Sequence, residues 1–321
     1  MDSMARSIRA VIILSCFDMC FGTWFAQAST SARGGSTTRD VAGIPEVTVM
    51  APRPPTPQEL AGESVPNFVA SHAVPSIVIH QIPRWRTSLC PVTIGLSPAF
   101  NQFVSARIEA VAAAVGAPQH SNAECKYHNV EIFFSAEPQK QLDEFVKFDA
   151  RVLGFHYPHQ TKRLATFNRP IQGWYVTATR SDSGGQAVDD PLPLPVGPPG
   201  FWSPVPPGEL GSRLNNGRSS VIINALIGVD INRVIGMSIG SISDYIAMLV
   251  LSQSKSPDTC GQLPSIIDLM ASNCTDRERP TQVTAGDLAF LHALYKVNLS
   301  SPVELEQSSL EDHMMREFKG P

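Results

Sequence analysis

From Pro75 onward the apolar residues fall into blocks with two different spacings, and their order predicts the fold. Ser76 to Ile82 and Cys90 to Leu96 have the β-branched composition of strands. Ser97 then offers an N-cap and Pro98 a first helical position. Phe100, Val104, Ile108, Val111 and Val115 recur at helical spacing up to Gly116, which predicts a helix with one apolar face. Asn129 to Ser135 returns as a strand, so strand, helix and strand follow in the order of a crossover between parallel neighbours. Glu137 to Arg151 reads as an amphipathic helix with Leu142, Phe145, Val146 and Phe148 inward. Val152 to Tyr157, Arg163 to Phe167 and Gly173 to Arg180 read as further, antiparallel strands.

The chain is organised around Ser219 to Gln253. Val221 to Val229 is almost wholly apolar, as expected of a strand covered on both faces. After a glycine-containing turn, Ser241 and Asp244 have the spacing of a capping box. It opens a helix from Ile242 to about Gln253 that is apolar on nearly every side. Pro264 to Met270 suggests one or two helical turns. Thr284 and Asp287 form a second capping box, for a helix with Leu288, Leu291, Leu294 and Tyr295 on one stripe. Pro302 starts a charged helix expected to fray, with residues 311–321 as a loose terminus. The fold class that follows is α+β, with a mixed, partly parallel sheet, a crossover helix and a central buried helix, over residues 76–310.

The flanking and inserted segments lack this periodicity. Residues 1–28 combine Arg6 and Arg9, an apolar run and Ala26-Gln27-Ala28, the form of a cleaved export signal. Residues 29–75 are rich in Ser, Gly and Pro and read as a flexible tether. Within it, Pro45 to Arg53 resembles the short segment by which outer-membrane receptors engage a periplasmic energy-coupling protein, but no alternating barrel strands follow. Residues 181–218 interrupt the domain with eight prolines between Pro191 and Pro207. Phe201 and Trp202 sit inside that loop, and because large rings are costly to leave in water they are expected to dock onto the domain or to mark a partner contact.

Charge and cysteine usage narrow the function. The net charge of −4, from 25 basic and 29 acidic residues, is unchanged by removing residues 1–28 and argues against nucleic-acid binding. No apolar run after the leader is long enough to span a bilayer. Beyond the leader remain Cys90, Cys125, Cys260 and Cys274, and an even number in an exported chain suggests disulfides. Three pairings are possible. Loop-closure entropy favours Cys90 with Cys125 and Cys260 with Cys274. No histidine stands in zinc-finger register with them, so no metal site and no cofactor is expected.

Three candidate chemistries remain. Gly236-Met237-Ser238-Ile239-Gly240 fits G-x-S-x-G between strand and helix, with Ser238 as nucleophile and His292 as base, the alternative reading as a serine hydrolase. Against it, no strand is expected after Gly240 and no HGG-type loop supplies an oxyanion hole. His156 and His159 are separated by Tyr157 and Pro158 and lack a third ligand, which makes them loop histidines. Lys162, Arg163, Arg169 and Arg180 offer an anion site or solvated faces.

The segments DYIAMLVLSQ, SIIDLMASNC and TAGDLAFLHALYK resemble a family of uncharacterised exported bacterial proteins with the zincin, or zinc-metallopeptidase, fold. The resemblance extends over Leu89 to Lys296 and implies a zincin-like scaffold. In that family an HExxH helix holds zinc through two histidines and supplies a glutamate base. This helix has Asp244, Tyr245 and Met248 instead, with no histidine between His159 and His292. The resemblance therefore implies a scaffold without the peptidase zinc, in which Asp244 caps a helix and Tyr245 and Met248 are core. The expected function is a non-catalytic binding or structural protein of the bacterial envelope, periplasmic or extracellular. Its expected partner is an envelope protein or peptide.

Overall fold

The structure, a computed structural model, describes residues 64–120, 125, 127–181, 186–188, 217–254, 258–275, 279–298 and 300–319. The export signal, most of the tether, the segment resembling a docking motif, and Phe201 and Trp202 with most of the proline-rich loop lie outside the described residues.

The fold is α+β, with a mixed sheet ordered β2-β3-β6-β4-β5. Its strands are β1 (Arg84–Trp85), β2 (Pro91–Ile94), β3 (Val130–Ser135), β4 (Ile171–Ser181), β5 (Gln186–Val188) and β6 (Arg218–Asp230). The thirteen-residue β6 is the spine. One flank pairs in parallel with β1 at Val221 and Ile222 and with β3 from Ala225 to Asp230, while the other pairs antiparallel with β4. Helix α2 (Pro98–Ala114) joins the parallel neighbours β2 and β3, as the strand-helix-strand pattern predicts.

Both faces of the sheet are covered, which explains the unbroken apolar run of β6. The larger core gathers Val104, Ile108, Ile132, Ile227, Tyr245, Met248, Phe290 and Leu294. The smaller one joins Phe133, Leu142, Phe145, Leu153, Trp174 and Leu226 beneath α3 (Pro138–Phe148). The central helix α5 (Ile239–Ser252) has every residue from Ser241 to Ser252 buried. Trp85 Nε1 donates to Val250 O over 2.8 Å, so even its backbone is tied to the sheet. Disulfides Cys90–Cys125 and Cys260–Cys274 are the pairing that loop closure favours. No helix among the described residues is long and apolar enough to cross a membrane.

Several elements depart from the sequence reading. A helix, α1 (Ser64–His72), lies inside the expected tether and buries Val65, Phe68 and Val69. Ser76 to Ile82 is a turn region instead of a strand. His80 takes φ 53° and Ile82 N donates to Glu306 Oε2 over 2.8 Å, so the segment spends its polar groups off the sheet. Val152 to Tyr157 and Arg163 to Phe167 form short turns and α4 (Thr161–Leu164) instead of strands, with Val152, Leu153 and Phe155 buried in the smaller core. Phe100 and Phe148 face solvent, at 52% and 45% exposure. Helix α6 (Ala285–Lys296) follows its capping box as expected. The last helix, α7 (Val303–Lys319), runs through the terminus expected to fray and buries Leu310 and Met314.

Candidate functional site

At the junction of β6 and α5 the helix begins three residues earlier than the Ser241–Asp244 spacing implies. Ser238 is its N-cap, accepting from Ser241 N over 3.0 Å and bonding Ser241 Oγ over 2.8 Å. The carboxylate of Asp244, 2% exposed, therefore does not cap its own helix. Arg107 on α2 grips it through Nε and through Nη2 at 3.1 Å, and Val283 N donates to Oδ2 over 3.0 Å. A buried carboxylate engaged in this way ties α2, α5 and the approach to α6 together. Tyr245 and Met248 are fully buried.

The partners required of a serine nucleophile are elsewhere. His292 Nε2 bonds Ala114 O over 2.7 Å, and its Nδ1 lies 3.8 Å from Glu317. One turn on, Tyr295 Oη reaches Leu251 O over 2.9 Å. That is the C-terminal end of α5, whereas Ser238 caps its N-terminus, about 20 Å away along the axis at 1.5 Å per residue. A serine, a histidine and an aspartate do meet at another place. Ser265 Oγ donates to Asp287 Oδ1 over 2.6 Å and lies 3.1 Å from His72 Nε2. The hydroxyl stands between acid and imidazole, whereas a triad needs the imidazole in the middle. Burial lowers His72 to a pKa of about 4, and it raises that of Asp287. The cluster fastens α1 to the turn before α6.

The open surface lies over β4. A cavity of about 550 Å³ is lined by His156, Arg163, Arg169, Gln172, Trp174 and Tyr175, with Gln253 from the end of α5. A second, also about 550 Å³, shares Asn168 and Arg169 and adds Arg233, Arg279 and Asp258. Four arginines thus line two cavities that meet at Asn168 and Arg169 in a chain of net charge −4, and among the described residues Asp258 is the one carboxylate in their lining. Of the four basic residues singled out in the sequence, Arg163 and Arg169 line the groove and Lys162 and Arg180 do not. His156 lines it, while the ring of His159 stacks on Tyr157.

The groove follows a strand edge. β5 meets β4 only at Ala178, Thr179 and Arg180, so among the described residues Ile171 to Val176 has a strand on one flank alone. The loop side of the groove is fixed by Gly154 at φ 61°. A Cβ there would fall 1.7 Å from Tyr175 O, so only glycine lets the loop pass the strand. Tyr175 Oη in turn donates to Leu249 O over 3.0 Å, which anchors the strand to α5.

The structure also brings His120 to the Cys90–Cys125 pair, a neighbour that zinc-finger spacing does not reveal. Its only trace in the sequence is His120 five residues before Cys125. Arg233 and Arg279 were likewise missed, because they reach the groove from turns distant in sequence from Arg163 and Arg169. Comparison of the chain with protein-family models, curated proteins and solved structures finds no match.

Proposed function

We propose that this chain is an exported, non-catalytic binding protein of the bacterial cell envelope that takes up an extended acidic peptide along β4. Its scaffold is zincin-like, with a central helix that carries no imidazole. The observation that carries the reading is the coincidence of an arginine-lined groove with the stretch of β4 from Ile171 to Gly173, which has a strand on one flank and lies before the point where the Gly154 loop covers Tyr175 O. A strand edge offers backbone donors and acceptors to an added strand, and side-chain pockets beside it give selectivity. Arginines favour carboxylates by bidentate hydrogen bonding. Two disulfides suit the oxidising compartments reached by export. The hydrolase reading draws no support from Ser238, whose hydroxyl is spent on the helix it caps.

Fluorescence anisotropy with a short labelled peptide alternating valine and glutamate tests this, with the valine-lysine peptide as control. The acidic peptide is expected to bind and the basic one not. Arg163→Glu combined with Arg169→Glu should weaken binding at least tenfold, a loss of about 1.4 kcal/mol. Equal affinity for both peptides, or indifference to the two substitutions, would sink the proposal.

A further inference from the structure

The buried cluster that fastens α1 to the turn before α6 needs a number of hydrogens that depends on pH. His72 ends α1, its ring stacked 4.0 Å from that of Phe68 and 5.8 Å from that of Phe290. Its Nδ1 lies 2.8 Å from Phe68 O, which can only accept, so Nδ1 carries a hydrogen. In the neutral ring Nε2 is then an acceptor, and Ser265 Oγ faces it at 3.1 Å. Ser265 Oγ has two further neighbours, Ile267 N, which donates to it over 3.2 Å, and Asp287 Oδ1 at 2.6 Å. One hydroxyl hydrogen cannot fill both remaining gaps. Given to an ionised Asp287, it leaves the lone pairs of Ser265 and His72 face to face. A second hydrogen completes the set, with Asp287 donating to Ser265 and Ser265 to His72. Placing that hydrogen on His72 instead would bury an imidazolium and a carboxylate, at 6% and 0% exposure. Asp287 Oδ2 is committed as an acceptor to Ile266 N and Thr284 N, which leaves Oδ1 for the proton. Asp268 accepts from Ser265 N over 3.0 Å and repels a second negative charge at Asp287. Burial acts the same way, raising Asp287 and lowering His72. The other charged groups nearby are engaged. Glu306 of α7, the helix packed on α1, accepts from Ile82 N. On α6, His292 bonds Ala114 O and Lys296 pairs with Glu317, and on α5 Asp244 is held by Arg107. α1 has no ionisable side chain besides His72.

We propose that α1 is a pH-released strap: Asp287 holds a proton on Oδ1 and latches His72 through Ser265, and loss of that proton as pH rises frees the helix. In the latched state the hydroxyl hydrogen of Ser265 points to His72. In the unlatched state it turns to the ionised Asp287, and His72 loses its donor. The docked state binds the proton more tightly than the free one. The contribution of Asp287 is therefore complete below the ordinary aspartate range and is lost as pH rises through the docked pKa, roughly tenfold per pH unit. α1 lies outside the sheet, so its release leaves β6 and its neighbours paired. Such local opening, below the cost of global unfolding, is the kind of event that amide exchange detects.

The test is hydrogen exchange of the full chain, read by mass spectrometry and corrected for the intrinsic rate, at about pH 6 and about pH 9. Protection of Ser64–His72 should fall by roughly tenfold for each pH unit above the titration, while Ile239–Ser252 keeps its own. In Asp287→Asn the amide donates permanently to Ser265 and its oxygen still accepts from Ile266 N and Thr284 N. α1 should then stay equally protected at both pH values. Asp268 and Glu306 titrate in both proteins and cannot produce the difference. A parent helix equally protected at both pH values overturns the proposal, as does a variant that follows the parent. A second readout needs no variant to fold. Nitrogen-15 shifts of His72 in the parent at neutral pH should show Nδ1 protonated and Nε2 bare. An imidazolium there would put the proton on His72, leave Asp287 ionised, and overturn the latch as well.

Discussion

A hydroxyl at the turn between a strand and a helix can serve either the helix or a substrate, and the same lone pairs decide which. Ser238 Oγ accepts from Ser241 N, and Ser241 Oγ donates to Thr281 O over 2.6 Å. Ser238→Ala should therefore lower stability by about 1 kcal/mol in urea denaturation, the ordinary loss of a serine cap, with Ser238→Asn close to the parent. A fluorophosphonate should leave Ser238 unlabelled, and a labelled Ser238 peptide in the mass spectrum would restore the hydrolase reading. The sequence located this turn correctly and misplaced the cap by one helical turn, since Ser241 and Asp244 also satisfy a capping spacing. What separates the two choices is Arg107, 137 residues before Asp244 in the chain. No local pattern encodes that partner. The groove arginines were half legible for the same reason, Arg163 and Arg169 from one charged segment but Arg233 and Arg279 only from the fold.

At the scale of elements, what was legible depended on where each stretch finds its hydrogen bonds. Strands β2, β3, β4 and β6 were readable from composition, and so was the cap at Thr284, a reciprocal box whose partner lies three residues away; the like box at Ser265 went unread. The turn at residues 76–82 was not readable, because its β-branched residues serve a loop held from outside by Gln81 Nε2 to Ser301 O and by Glu306. Helix α7 was misjudged through its charge. Its buried stripe is thin, with Glu306, Leu310 and Met314 fully covered at four-residue spacing and packed with α1 at the edge of the core. Leu310→Ala is accordingly expected to cost about 2–5 kcal/mol, as other buried leucines do, read as a shift of the urea midpoint at constant slope. A frayed helix would lose less than about 0.5 kcal/mol, the scale of exposed positions.

Across the whole molecule the buried ionisable groups make stability depend on pH in an unusual direction. Glu131 on β3 is held in the smaller core beside Val92, Phe133 and Leu226, and its Oε2 has no hydrogen-bond partner among the described residues. Burial lifts its pKa from 4.5 to about 8. Burial also lifts Glu306 to about 7 and Asp268 to about 6. A carboxyl whose pKa is raised in the folded state contributes stability that is complete below its unfolded pKa and is lost as pH rises through the folded one. His72 works in the opposite sense. Its folded pKa of about 4 lies below the ordinary 6.5, so its contribution is lost as pH falls from 6.5 towards 4. Between pH 5 and 8 these carboxyls, joined by the buried Asp287, oppose His72, and the urea midpoint is expected to fall as pH rises across that window. Glu131→Gln isolates the contribution of Glu131, because the amide has the shape of the protonated acid and cannot ionise. It should match the parent near pH 5 and exceed it at pH 9 by a few kcal/mol, since each tenfold weakening of the acid on folding is worth about 1.4 kcal/mol. Equal midpoints for the two proteins at pH 9 would mean that Glu131 ionises at little cost, through contact with water or a cation that its apolar surroundings do not provide.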